Sequence, residues 1–324
     1  MTGFHFVSEA VAREVVSMAE AINAVAGAFQ ALHHGRASLF PVVMAHGCQE
    51  GTRFGVKSGL IQDGRVVGLK VGSYWPGNRA RKLPAHGSTT LLLDDETGYP
   101  RAVVAATHLT AVRTAAIDGV ATRALARSNA SRVALVGAGH QAWYELLALR
   151  EVLPITKVSV WNRGPESARG LARRAREELS LETEVTSLEA AIRQADIVVT
   201  ATAASGPLFP ADWVRPGTHI SAMGADARGK QELDPHLVAR SIKVADDVAQ
   251  SLTIGEFEAA HLAGLIGAND IETLGAVLDG GGRGRQHDDD ITIFDSSGTA
   301  LQDLAIAELA LSAALRSGRA QHLA

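Results

Sequence analysis

The chain has 324 residues, 46% hydrophobic and 20% charged, a globular balance with length enough for two domains and a large core. A net charge of −4 gives no general attraction to nucleic acid or to an anionic membrane. Cys48 is the single cysteine, no apolar run reaches the ~20 residues that span a bilayer, and residues 1–8 lack a basic segment followed by an apolar one. The expectation is a soluble, cytoplasmic protein without disulfides.

In chain order, Val11, Val15, Met18, Ile22, Val25, Phe29 and Leu32 recur at alternating steps of four and three. This spacing predicts one helix over 9–32, with its apolar face on a core or a subunit interface. Residues 54–61 and 66–71 read as strands around Gln62-Asp63-Gly64-Arg65, and 89–93 and 102–105 as strands around Asp94-Asp95-Glu96-Thr97-Gly98. Both are hairpin signals, so the first sheet is antiparallel or mixed. An alanine-rich helix over 110–128 leads out of this domain.

From Ser131 the pattern changes. Strands over 132–136, 157–161, 196–202, 218–223 and 242–245 are interleaved with helices running to about 152, over 165–179 and over 187–194. That alternation predicts a doubly wound parallel sheet. Gly280-Gly281-Gly282-Arg283-Gly284 reads as a flexible loop, 291–294 as a strand and 299–315 as a helix whose packing partner is left open.

Gly137-Ala138-Gly139-His140-Gln141-Ala142 follows a strand, opens a helix and precedes a second strand about 20 residues on. In a dinucleotide fingerprint Gly137 permits the tight turn, Gly139 lets the backbone approach a pyrophosphate, and Ala142 allows close helix packing. The end of the second strand would show cofactor choice. Here Trp161-Asn162-Arg163-Gly164 offers no carboxylate for a ribose 2′-hydroxyl, and Arg163 suits a 2′-phosphate. That leans to NADPH, the alternative being a solvated Arg163 with NAD bound.

Lys57 and Lys70 sit mid-strand among apolar and small residues, and Arg113 is placed at the start of a helix, where a cation opposes the dipole. Singly, each reads as an outward charge; together they suggest an anion site completed by a substrate carboxylate. Asp226, in Met223-Gly224-Ala225-Asp226-Ala227-Arg228-Gly229-Lys230, follows a strand of the nucleotide domain, as either a turn-former or an acid facing a nicotinamide. His287-Asp288-Asp289-Asp290 lacks calcium-loop spacing, and no zinc or nucleophile-elbow motif occurs, so no metal site is expected.

The chain resembles the ornithine cyclodeaminase/mu-crystallin family throughout its length. The resemblance is carried by Gly68-Leu69-Lys70, Pro76-Gly77-Asn78, His86-Gly87-Ser88-Thr89-Thr90-Leu91-Leu92-Leu93, Arg113-Thr114-Ala115-Ala116 and Val136-Gly137-Ala138-Gly139-His140-Gln141-Ala142. Gly224-Ala225-Asp226-Ala227-Arg228-Gly229-Lys230-Gln231-Glu232-Leu233-Asp234 and Phe294-Asp295-Ser296-Ser297-Gly298 carry it further. It implies a homodimer. Residues 1–118 with 300–324 would form an α+β substrate-binding and dimerisation domain completed by the C-terminal helix, and 119–299 a Rossmann-type NAD(P)-binding domain. It also implies that Lys70 and Arg113 hold a substrate carboxylate and that Asp226 is the catalytic acid. Thr89, His140, Gln141, Thr202, Lys230 and Ser296 would line the cofactor, joined by Arg113, Gly137, Gly139, Asn162, Arg163 and Met223.

Members of the family cyclise ornithine to proline, reduce cyclic or acyclic imino acids, or interconvert pyruvate and alanine; crystallin-like members bind ligand without catalysis. Many carry an arginine after a proline where Val42 and Val43 follow Pro41 here, and Met-Pro where Lys57-Ser58 stands. The Lys57 variant, with Tyr74-Trp75-Pro76-Gly77-Asn78, is similar to the iminosuccinate reductase branch, and Trp161-Asn162-Arg163 to the NADPH-using ketimine reductases. The expected reaction is therefore reduction of a small 2-imino acid, iminosuccinate to aspartate, with Lys57 reading the second carboxylate. Ornithine cyclodeamination, pyrroline-2-carboxylate or ketimine reduction, and NADP-dependent ligand binding stand as alternatives.

Overall fold

The computed structural model describes residues 3–324; Met1 and Thr2, the start of the segment read for a leader, lie outside the described residues. The chain divides into two compact units, Met1–Arg113 with Thr299–Ala324, and Thr114–Gly298. In chain order the first unit contains β1 (Phe4–Val7), α1 (Glu9–Val15), α2 (Met18–His33), β2 (Ala37–Leu39), β3 (Val43–Ala45), β4 (Arg53–Ile61), β5 (Val66–Tyr74), β6 (His86–Leu93) and β7 (Pro100–Ala105). Helix α3 (Thr107–Leu125) carries the chain into the second unit.

There β8 (Arg132–Val136), α4 (His140–Val152), β9 (Lys157–Trp161), α5 (Pro165–Leu179), β10 (Glu182–Val185), α6 (Leu188–Gln194), β11 (Ile197–Thr200) and β12 (His219–Ala222) alternate. They are followed by α7 (Pro235–Arg240), β13 (Ile242–Ala245), α8 (Val248–Ser251), α9 (Glu258–Leu262), β14 (Ile271–Thr273), α10 (Leu274–Leu278) and β15 (Thr292–Asp295). The chain returns to the first unit with α11 (Ala300–Arg316) and β16 (Gln321–Leu323).

The helix predicted over 9–32 is two helices, α1 and α2, bent by 91° at the break between them. Ser17 accepts from the Glu20 amide while the Glu20 carboxylate accepts from the Ser17 amide, a reciprocal cap that starts a new helix. The apolar spacing runs on across the break, so periodicity alone could not reveal it. Among the described residues no single helix is long and apolar enough to cross a membrane.

The first sheet has the order β16-β1-β7-β6-β5-β4-β2, with β3 also on β4. It is antiparallel except where β1 lies parallel to β7, so it is mixed, as the two hairpins predict. Helix α11 packs on α2, β4 and β5, burying Leu301, Leu304 and Leu311. Gly68 permits that approach, because a Cβ there would meet Leu304 Cδ2 at 3.1 Å and the Leu91 carbonyl oxygen at 2.2 Å. Each leucine so buried contributes roughly 1.5–3 kcal/mol.

The second sheet is parallel throughout, in the order β10-β9-β8-β11-β12-β15-β13-β14. Chain order reverses at β8, so the crevice beyond the carboxyl ends of β8 and β11 is the switch point at which such sheets take ligands. Val136, Val198, Ile220, Phe257 and Ile293 form its packed interior.

Candidate active site

In the first unit, β4 and β5 pair so that Lys57 lies directly opposite Lys70. Opposite residues of an antiparallel pair project from the same face, so the register brings the two cations together. Lys57 is half-buried and Lys70 is 6% exposed. The Lys70 Nζ meets Asp303 Oδ2 at 2.7 Å, and Arg113 Nε meets Asp303 Oδ1 at 3.0 Å. Arg113 Nη1 also donates to Gln302 Oε1 at 2.6 Å. Burial lowers the Lys70 pKa to about 8; Asp303 opposes that shift, and Arg113 and Lys57 add to it. Burial pushes Asp303 upward, but Lys70, Arg113 and Lys57 together outweigh it and hold its carboxyl below the ordinary value.

Two expectations are corrected here. Arg113 does not open a helix: α3 begins at Thr107, so Arg113 lies well inside it and the dipole argument lapses. The buried cations also do not wait for a ligand to supply their anion, because Asp303 is already there. Asp303 and Gln302 went unread in the sequence, although an acid on the buried face of α11, beside Leu304 and Ala307, is the available signal. Thr89, on β6 opposite Val71, is exposed.

In the second unit, Gly137 follows β8 with φ +109°, and a Cβ there would meet the Ala201 carbonyl oxygen at 2.7 Å and Thr202 Cγ2 at 3.1 Å. Only glycine fits this turn against the end of β11. Gly139 caps α4 without any side-chain hydrogen bond, and no atom lies within 4 Å of where its Cβ would stand. Ala142 is 1% exposed, in close packing. The Ala138 amide donates to Asn162 Oδ1 at 3.2 Å, and Asn162 Nδ2 to the Gly164 carbonyl at 3.0 Å, so Asn162 joins the turns that follow β8 and β9. Arg163 beside it is exposed. An open, side-chain-free helix start at the switch point fits a dinucleotide pyrophosphate. His140 is exposed, its ring 4.9 Å from that of Tyr144, while Gln141 Nε2 turns inward to Glu145 Oε1 at 2.7 Å.

The loops after β11 and β12 share one anchor. The Thr202 and Gly224 amides both donate to the Glu232 carboxylate, at 2.7 and 3.1 Å. The Glu232 and Leu233 amides in turn donate to Glu256. Burial raises the pKa of Glu232 and, helped by the Glu232 charge, that of Glu256; burial also pushes Asp295 up to about 8. Glu232 and Glu256 were not singled out in the sequence; they hold the loops that carry Thr202 and Asp226. Met223 is buried at the end of β12. The Asp226 side chain is 60% exposed and ion-pairs with Lys230, whose Nζ also donates to the Gly224 carbonyl at 3.3 Å. Ser296 Oγ donates to Asp246 Oδ2 at 2.8 Å.

The structure thus brings Lys57, Lys70 and Arg113 together around Asp303 in one unit. In the other it gathers the 137–142 turn, Asn162, Thr202, Met223, the Asp226–Lys230 pair and Ser296 at the carboxyl ends of β8, β9, β11, β12 and β15.

Known proteins are similar to this chain over nearly its whole length. The iminosuccinate reductase of Paracoccus denitrificans (strain Pd 1222) is 41% identical over 303 residues, 94% of each chain. Its crystal structure in complex with NAD+ matches with a TM-score of 0.96 and 39% identity over 99% of both chains. An archaeal alanine dehydrogenase, described as a dimer with bound NAD, matches with a TM-score of 0.94 and 35% identity over 100% of this chain and 99% of that one. The Thermococcus litoralis Delta(1)-pyrroline-2-carboxylate reductase, in complex with NADH and L-proline, gives 0.93 and 31% over 99% and 100%. The profile of the ornithine cyclodeaminase/mu-crystallin family matches residues 5–317. With glycine turn, buried cations and acid-bearing loop all on a chain matched along its length, this protein belongs to the ornithine cyclodeaminase/mu-crystallin family.

Proposed function

We propose that this protein is an NAD(P)H-dependent imino acid reductase whose substrate is a 2-imino dicarboxylate, iminosuccinate, reduced to aspartate. The observation that carries the substrate class is the cross-strand pair Lys57 and Lys70 beside Arg113, three cations in one cradle. Two substrate carboxylates suit such a cradle. The similarity to an iminosuccinate reductase supports the same reading.

Bound NAD(P)H supplies the hydride that reaches the imine carbon. Lys70 and Arg113 hold the carboxylate next to that carbon, and Lys57 holds the distal one. Asp226 stabilises or protonates the imine nitrogen, because an iminium is the better hydride acceptor; hydride on carbon and a proton on nitrogen complete the amino acid. Lys230, ion-paired to Asp226, fixes the carboxyl in place.

The second unit takes the NAD(P) role and the first the substrate and dimerisation roles. Gly137, Gly139, His140, Gln141, Asn162, Thr202, Met223, Lys230 and Ser296 serve the cofactor. For the ribose end, exposed Arg163 with no acid on the strand end admits a 2′-phosphate, and this supports preference for NADPH. The working form is a cytoplasmic homodimer. Ornithine cyclodeamination is disfavoured because Lys57 would face the substrate's distal ammonium. The test is NAD(P)H oxidation across imino acids generated in place from 2-oxo acids and ammonia. Iminosuccinate, formed from oxaloacetate, is expected to give the highest kcat/KM; a higher value for iminopropionate or pyrroline-2-carboxylate would refute the dicarboxylate assignment.

A further inference from the structure

We propose that Asp303, on the C-terminal helix, is the positioning residue that sets the charge of the anion cradle and thereby selects a dianionic ligand. The inference rests on the reading of Lys57, Lys70 and Arg113 as the substrate-carboxylate site. Asp303 is 2% exposed and gives one oxygen to each buried cation, Oδ2 to Lys70 at 2.7 Å and Oδ1 to Arg113 at 3.0 Å. Its neighbour Gln302 fixes Arg113 through Nη1. Both cations are therefore oriented before a ligand arrives, and the rotamer freedom that binding would otherwise freeze is already spent.

The charge count follows from the same contacts. Three cations and the carboxylate of Asp303 share this cradle. A dicarboxylate offers these cations two negative charges, a monocarboxylate one, and every buried cation left without an anion carries a desolvation cost. Asp303 also keeps the proton on Lys70. The charged groups facing that ammonium are Lys57 from β4, Arg113 from α3 and Asp303 from α11, and only Asp303 favours the charged form. Lys70 titrates at about 8, so the cradle loses one positive charge above that pH; without Asp303 it would lose it sooner.

The experiment measures binding of succinate, with acetate as the single-charge control, by calorimetry from pH 6 to 9.5. It uses the full chain as wild type, Asp303→Asn, Asp303→Glu and Lys70→Gln. Wild type should prefer succinate and lose it on an alkaline limb centred near the Lys70 value of about 8. Asp303→Asn should move that limb down by about one pH unit or more, and Asp303→Glu, which keeps the charge, should return it toward wild type. Lys70→Gln leaves two cations for Asp303, and the succinate-over-acetate ratio should fall about 10-fold or more. Should Asp303→Asn not fold, Asp303→Ser, which also removes the charge, is measured for the same shift of the limb. An Asp303→Asn limb that coincides with wild type, a succinate preference unchanged in Lys70→Gln, or no succinate binding by wild type would overturn the proposal. Iminosuccinate turnover is followed in parallel. Asp303-dependent succinate binding without any imine reduction would refute the reductase reading and leave the role of Asp303 standing.

Discussion

Lys57→Met removes one cation and keeps a side chain of similar length, so it asks how much a second substrate carboxylate depends on that charge. Two unit charges ~4 Å apart attract by about 1 kcal/mol in water and about 4 kcal/mol at an effective dielectric constant of 20. Lys57 is half-buried beside the fully enclosed Lys70, which places its contribution between these limits, about 2–3 kcal/mol. The corresponding loss in kcat/KM for iminosuccinate is roughly 30- to 150-fold. For iminopropionate, which has a neutral tail, the same substitution should change kcat/KM by less than about 3-fold, or raise it. The assay is NAD(P)H oxidation at matched pH on both imines. A folding defect depresses both activities and is recognised at once. Removing Lys57 relieves its repulsion of Lys70, worth ~0.2–1 kcal/mol, and gives up its attraction to Asp303, so the melting temperature is measured alongside both activities. Equal losses on the two substrates, or none on either, would refute the reasoning and return the substrate to an unspecified imino acid.

Asp226→Asn should lower kcat by about 10²-fold or more while cofactor titration by fluorescence stays within a few-fold of wild type; near-normal turnover would make Asp226 a turn residue held by Lys230. Arg163→Ala should reduce kcat/KM with NADPH by about 10-fold or more and leave NADH unaffected, whereas a wild type that prefers NADH and a variant that behaves identically would remove the 2′-phosphate argument. Asp295 keeps its proton in the folded state up to about pH 8, against an ordinary value of 3.8. Between those values the unfolded chain has lost a proton that the folded chain retains, so stability falls as pH rises through that window. Asp295→Asn mimics the protonated acid and should flatten the fall of Tm between pH 5 and 8; Tm curves that stay parallel would contradict the burial of this carboxyl.

The second unit was largely legible because its strands are short, mostly apolar runs that alternate with helices. Residues 132–136, 157–161 and 242–245 agree with the observed strands residue for residue. β10, Glu-Thr-Glu-Val at the sheet edge, was missed because two of its four residues are charged and partly exposed. β1 and β16 pair Phe4–Val7 with Gln321–Leu323 across nearly the whole chain, and no local pattern announces such a pairing. In the site, Lys57 and Lys70 were legible as out of place in apolar strands. Their mutual register was not, since it depends on the tight turn at Gly64 and Arg65, where φ is +78° and +53°. Asp303 showed only as an acid on an apolar helix face, and its partners were out of reach of any local pattern: its neighbour Gln302 meets Arg113 from 189 residues away. The capping signal Ser17-x-x-Glu20 was present in the sequence and was overridden by apolar spacing that spans the break.

The placement of α11 also constrains the order in which the protein can assemble as it is synthesised. The second unit is one continuous stretch, Thr114–Gly298, and all its strands are synthesised before the last helix. The first unit is made first and finished last. Until Ala300–Arg316 leaves the ribosome, the strands β4 and β5 lack the helix that covers them, and Lys70 and Arg113 lack the carboxylate that lets them be buried. Until Asp303 is made the two cations have no carboxylate to be buried against, and a truncation ahead of Asp303 leaves them so.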